Sequence, residues 1–316
     1  MKKLSVLALT LVVAFAAIAA TITARPTTVA NSDVLNFLPD GQAVIVIDVQ
    51  GVLRSNLFTI EKLKGLLDKA QGEVTKAGFN MSDINTAAIS FAGTSFNDPT
   101  IVVTGNFNQA QLLARLREDS KVKVETVKYK GVDVHTATSV ASATGKKNDP
   151  MALAFYDANT IVAGNPAGVR ASIETRNGER PSITGNAKLM TGIAQNPAAP
   201  IRFALNVGPE MTKKLSSNQI PMPSFESVNL LFGFIEMSKG VDLNLTARND
   251  TAENAKSIAD QLNGLLGMVK GFLGANDDPK MAGIVAAIKS VTVANSDIDV
   301  KITASLPVEV LSQFIK

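Results

Sequence analysis

Few residues in this chain are of the types that do chemistry, and their spacing limits what they could do. His135 is the single histidine, which excludes multi-histidine metal sites, the H-E-x-x-H form included. Asp133 stands two positions earlier, so on a strand the two side chains would share a face as a base and its orienter. No nucleophile with a marked partner accompanies them, and the pair reads as surface charge on a hairpin. Ser120-Lys121-Val122-Lys123 matches S-x-x-K but lacks its S-D-N and K-T-G companions, and no G-x-S-x-G elbow occurs. Gly145-Lys146 ends like a phosphate loop, yet no glycine stands five residues before Gly145. Asp297-Ile298-Asp299 would put two carboxylates on one strand face, and Asn276-Asp277-Asp278 makes an acidic turn. Neither supplies the ligand count that calcium requires, so both read as solvated charge. No metal and no cofactor is implied, and no catalytic residue is assigned.

The most unusual segment is a helix expected over 251–273. Asp250 and Glu253 make a capping pattern at its start. Ile258, Leu262, Leu265, Leu266, Val269, Phe272 and Leu273 form a broad apolar stripe, with Gly264, Gly267 and Gly271 among them. Three glycines cost a helix interior about 2–3 kcal/mol against alanine, so something should compensate. One explanation is close approach to a sheet or to the neighbouring helix 281–288. The other is an apolar groove or membrane-surface element, for which Leu265, Met268, Val269 and Phe272 are the candidate ligand-binding residues. Lys256 and Lys270 are balanced by Glu253 and Asp260, whereas an interfacial helix usually carries a strongly basic face.

These residues must be placed by the rest of the chain. Met1, Lys2 and Lys3 precede an apolar run, Leu4 to Ala20, which is somewhat short of the roughly 20 residues of a spanning helix and ends in small residues. That is the form of a cleavable secretory signal, with Ala17-Ile18-Ala19 or Thr28-Val29-Ala30 as the cleavage site. With no cysteine, the chain has neither a lipid-bearing residue nor disulfides, and it is long enough to bury a core without them. The expected location is therefore the periplasm or the extracellular space. Removing Lys2 and Lys3 lowers the net charge from +3 to +1, and the basic residues are scattered. A nucleic-acid partner is therefore not expected. Membrane contact is expected only through the N-terminal signal, if it stays uncleaved.

Strands are expected at Ala43–Val49, Thr86–Phe91, Thr100–Asn106, Val122–Thr136 (a hairpin turning at Lys130-Gly131), Met151–Tyr156, Thr160–Ala163, Pro200–Val207, Val228–Met237, Val241–Ala247, Val291–Val293 and Ile298–Ser305. Val127 breaks the alternation in the first strand of that hairpin, which predicts a bulge near Glu125-Thr126. Helices are expected over Phe58–Val74, Gln109–Arg117 after Asn108, from Pro166 after Asn165, and Val308–Ile315. TIVVTGN at 100–106 and TIVAGN at 160–165 each precede a helix. They suggest a recurring strand–turn–strand–helix unit, and hence an α+β fold of antiparallel sheets backed by helices. Residues 1–30 would be signal peptide and polar linker, 34–145 a first module and 150–316 a second, or the two one continuous domain.

Ala152 to Ile173 (ALAFYDANTIVAGNPAGVRASI), with Phe37-Leu38-Pro39-Asp40-Gly41, resembles exported bacterial families of unknown function in which such entry segments and hairpins recur in paired α+β modules. The resemblance implies a fold type and an envelope location, and it transfers no functional residue. Three roles follow. The first is a non-catalytic envelope protein that binds or scaffolds, its partner an envelope protein. The second is a carrier of a small apolar or lipidic molecule beside the glycine-rich helix. The third is a carboxylate- or serine-dependent hydrolase whose site only the fold would assemble.

Overall fold

The computed structural model describes residues 32–76, 79–93, 98–118, 122–139, 149–209, 225–274 and 282–314. The described residues up to 54 and from 63 to 186 form one compact unit, and those from 55 to 62 and from 187 onward form another.

The first unit contains α1 (Ser32–Asn36), β1 (Ala43–Asp48), α2 (Val49–Leu53), most of α3 (Glu61–Lys76), β2 (Ile84–Phe91), β3 (Pro99–Gly105), α4 (Gln109–Glu118), β4 (Val122–Tyr129), β5 (Val132–Ser139), β6 (Met151–Asp157), β7 (Thr160–Gly164) and α5 (Pro166–Arg176). Its strands pair antiparallel in the order β1-β2-β3-β7-β6-β5-β4. β2 and β3 are buried along nearly their whole length, which is why their sequences are continuous apolar and threonine runs rather than alternating ones. The similar strings 100–106 and 160–165 are neighbours, with Val102 opposite Val162. α5 is capped as its sequence predicts: Asn165 accepts from Gly168 N–H and Pro166 opens the helix. It packs with Val169, Ser172, Ile173 and Thr175 buried. Tyr156 Oη donates to Ser172 Oγ at 2.7 Å, and Ser172 donates on to the Phe37 carbonyl at 2.6 Å. Burial pushes the Tyr156 hydroxyl up to about 12.

β4 is the edge of this sheet, and its register with β5 runs unbroken from Val122–Ser139 to Tyr129–Val132. The expected bulge is absent because the solvent face of an edge strand has no core alternation to keep: Val127 is 55% exposed. Lys123 and Lys128 on the same strand blunt the edge against further pairing. The turn is the one the sequence predicts, with Lys130 and Gly131 at φ 49° and 86°, the left-handed pair of a two-residue hairpin.

The second unit contains α6 (Ala187–Ile193), β8 (Ile201–Asn206), β9 (Val228–Glu236), β10 (Gly240–Asn249), α7 (Ala252–Gly274), α8 (Ala282–Ser290), β11 (Thr292–Ser296), β12 (Asp299–Pro307) and α9 (Val308–Phe314). Its strands run β11-β12-β10-β9-β8, all antiparallel. α7 docks on this sheet through Ala255, Ile258 and Ala259, which join Val228, Ala247 and Val300 in one buried cluster. Thr251 Oγ1 accepts from Asn254 N–H. Thr251 rather than Asp250 is thus the capping residue, because the helix starts one residue later than expected. Antiparallel hairpins followed by helices occur as β2-β3-α4, β6-β7-α5, β9-β10-α7 and β11-β12-α9. The fold is α+β.

Candidate functional site

His135 and Asp133, read from the sequence as surface charge on a hairpin, part company: Asp133 is exposed, but His135 is not. His135 is buried, and its Nδ1 lies 2.8 Å from Thr126 Oγ1 across the hairpin. Asp133 instead faces Lys128, 3.6 Å away. Burial holds the His135 imidazole below its ordinary value of 6.5, with Arg117 acting in the same direction and Asp133 opposing both. A base held neutral by folding is protonated more readily in the unfolded chain. His135 therefore contributes stability above that unfolded value, and the contribution is lost as pH falls below it. In urea titrations the stability of the native chain should drop more steeply just below pH 6.5 than that of His135→Gln. Equal slopes would remove His135 from the acid response.

The two carboxylates at 297–299 also separate. Asp297 occupies the turn between β11 and β12 at φ 52°, whereas Asp299 grips Arg248 through two hydrogen bonds of 2.8 and 2.9 Å. The guanidinium of Arg248 also lies over the Phe232 ring, 5.3 Å from its centroid. Ser120-Lys121, Gly145-Lys146 and Asn276-Asp277-Asp278 lie outside the described residues. Among the described residues no group of three or more histidine, aspartate or glutamate side chains is placed to hold a metal ion.

The C-terminal half of α7 is different. Leu265, Met268, Val269 and Phe272 recur at i, i+3, i+4 and i+7 and so form one stripe. It lies roughly a quarter turn from the stripe that docks on the sheet. Leu265 is half-buried, while Met268, Val269 and Phe272 are 66%, 43% and 78% exposed. On the opposite flank, Asn263 Nδ2 and Lys270 Nζ donate to the carbonyls of Val293 and Val291 at 3.2 and 2.9 Å. These two bonds fix which way the helix faces. Lys270 is the only charged side chain from Gln261 to Gly274, and because it is turned to β11 the outward stripe carries no charge. Gly264, Gly267 and Gly271 face solvent, and a Cβ built on any of them meets nothing within 4 Å. The close approach expected of them is not what they provide.

The four residues singled out on α7 are thus brought together on an exposed surface. They do not line the hollow of about 350 Å³ at the start of α7, whose walls are Glu226, Ser227, Asp250, Asn254, Ser257, Ile258 and Gln261. Nor do they line a larger hollow at the start of α4. The periodic pattern marks both apolar stripes, but nothing in the residues says which of them the sheet covers. Among the described residues no helix is long and apolar enough to cross a membrane.

No protein-family model matches this chain, and no curated protein is similar to it. Among solved structures, crystal form III of TP0453 is similar, with a TM-score of 0.53 and 10% sequence identity over 89% of this chain and 96% of that one. Crystal forms IV and I of TP0453 align at TM-scores of 0.49 and 0.48, with 10% and 11% identity over 89% of this chain and 95% of theirs. At such identity the likeness to form III is one of fold: this chain shares the α+β architecture of TP0453.

Proposed function

We propose that this protein is an exported, non-catalytic binding module of the cell envelope that engages an apolar or lipidic partner through the C-terminal half of α7. The observation that carries the reading is the uncharged stripe of Leu265, Met268, Val269 and Phe272, three of whose members are open to solvent. Large apolar side chains grouped on a surface mark an interaction site in a well-packed protein. The Leu4–Ala20 export signal supports an envelope location, where lipid is the abundant apolar partner. The lack of charge on the stripe makes attachment depend on apolar area rather than on anionic headgroups.

Flotation of the processed chain with phosphatidylcholine vesicles tests this. Binding should be little changed by salt or by added phosphatidylglycerol. Met268→Ser with Phe272→Ser should weaken it about tenfold or more, since each residue would bury roughly 1.5–3 kcal/mol of apolar surface. The unfolding midpoint should stay unchanged, because both side chains are already exposed. If the double variant floats as well as the native chain, α7 is not the docking element. A chain that fails to float but carries an acyl molecule in native mass spectrometry would support the carrier role instead.

A further inference from the structure

A second surface feature, in the first unit and independent of α7, has the makings of a ligand site. At the N-terminal end of α4 a hollow of about 550 Å³ opens between α4, the end of β3 and the turn at 79–83. This is within the size range of small-molecule sites. Its frame is tied down by three backbone hydrogen bonds to two neighbouring turns. Asn106 N–H donates to the Asp83 carbonyl at 2.8 Å, and Gly105 and Phe107 N–H donate to the Asn159 and Ala158 carbonyls at 2.9 and 3.3 Å. Gly105 is required here, since a Cβ would fall 2.1 Å from the Asp83 carbonyl oxygen and 2.7 Å from the Phe107 ring. Phe79 meets Phe107 edge to face, with centroids 5.9 Å apart, and leaves the half-buried Phe79 at the hollow.

The lining chemistry is selective. Asn80, Asn106, Asn108, Gln109 and Gln111 contribute five side-chain amides, with Asp83 and Arg115 as one carboxylate and one guanidinium. Much of this capacity is unspent. The side chains of Asn106 and Gln111 make no hydrogen bond among the described residues. Among the described residues Asn108 uses only its oxygen, to cap α4 at Gln111 N–H, while Gln109 donates its amide to the Asp157 carbonyl at 2.9 Å. Among the described residues Asn80 uses only its amide NH₂, on Asp83 Oδ2 at 3.1 Å. An apolar ligand would strand these groups without water. Arg115 is already paired with Glu118 at 3.1 Å and Asp83 already accepts from Asn80, so neither offers an uncommitted charge to an ionic ligand, whereas a neutral ligand needs none. Each amide both donates and accepts, which matches hydroxyl groups that do the same, and Phe79 offers an apolar face for a C–H surface. An extended peptide is less suited, because β3 is paired on both sides and presents no free edge.

We propose that this hollow binds a neutral, hydroxyl-rich ligand, a short saccharide. The test uses the full processed chain, labelled for NMR, titrated with maltotriose, with tri-N-acetylchitotriose and, as a comparison, with trialanine. At least one saccharide should shift the side-chain amide signals of Asn80, Asn106, Asn108 and Gln111. The double variant Asn106→Ala/Gln111→Ala should weaken that binding about tenfold or more, as two hydrogen bonds are lost. Because both side chains are exposed, its unfolding should match that of the native chain. The proposal is overturned if neither saccharide shifts these signals, if trialanine shifts them in their place, or if the double variant binds as tightly as the native chain. Vesicle flotation through α7 is untouched by any of these outcomes, so the two readings fail separately.

Discussion

Ile173→Ala should destabilise the first unit by about 3–4 kcal/mol, within the range for large-to-small changes at sealed core sites. Ile173 is 0% exposed on α5, as is Val169 one turn earlier. The helix carrying them packs against β3, β5, β6 and β7. Removing three carbons from that side chain gives up its transfer free energy and leaves a cavity that a rigid sheet cannot collapse into. The adjacent Ser172 makes the cost harder to relieve by a helix shift, because it is held between Tyr156 Oη and the Phe37 carbonyl. Urea unfolding followed by circular dichroism provides the measurement. Val127→Ala on the exposed edge strand serves as a reference and should stay within about 0.5 kcal/mol of the native chain. A loss below about 1 kcal/mol for Ile173→Ala would mean that α5 does not seal the sheet.

The triple change Gly264→Ala, Gly267→Ala and Gly271→Ala should stabilise the second unit by about 2–3 kcal/mol, the summed helix-propensity difference at three exposed positions. Added methyl groups meet nothing within 4 Å, and none of the three glycines has a backbone angle that alanine would resist. The gain therefore comes without a packing penalty and chiefly through the lower entropy of the unfolded chain. Raised resistance to urea, with an unchanged helical signal, is the expected result. No gain would show that α7 is not helical through 264–271 in solution. The same variant bears on function, since its apolar stripe is untouched. Vesicle binding within about twofold of native would mean that the helix docks as formed. A large loss would mean that docking requires α7 to open, with the low helix propensity of glycine keeping the opening cheap.

Some of the site was legible in the residues. The i, i+3, i+4, i+7 recurrence of Leu265, Met268, Val269 and Phe272 makes them one stripe on any helix, because 3.6 residues per turn leaves no choice. Asn165-Pro166 and Lys130-Gly131 likewise determined their own local structure, since a side-chain cap, a fixed φ and a left-handed turn are decided within a few bonds. The α+β class followed from the strand–turn–strand–helix order that recurs along the chain.

Exposure required the fold. α7 has apolar residues over much of its circumference, and only the position of β11 and the carbonyls of Val291 and Val293 decides that Ala255, Ile258 and Ala259 face inward while Phe272 faces water. The hollow at α4 gathers Asn80 and Asp83 from one turn and Asn106, Gln111 and Arg115 from a segment some 25 residues later, a meeting no short-range pattern encodes. His135 and Asp133 share a strand face by period, yet cross-strand neighbours draw one to Thr126 and the other to Lys128. Bonding along the chain sets periodicity, caps and turns. Which apolar face stays uncovered, and which amides share a hollow, is set by contacts between residues far apart in sequence, where the entropy of ordering is recovered only when the whole sheet forms.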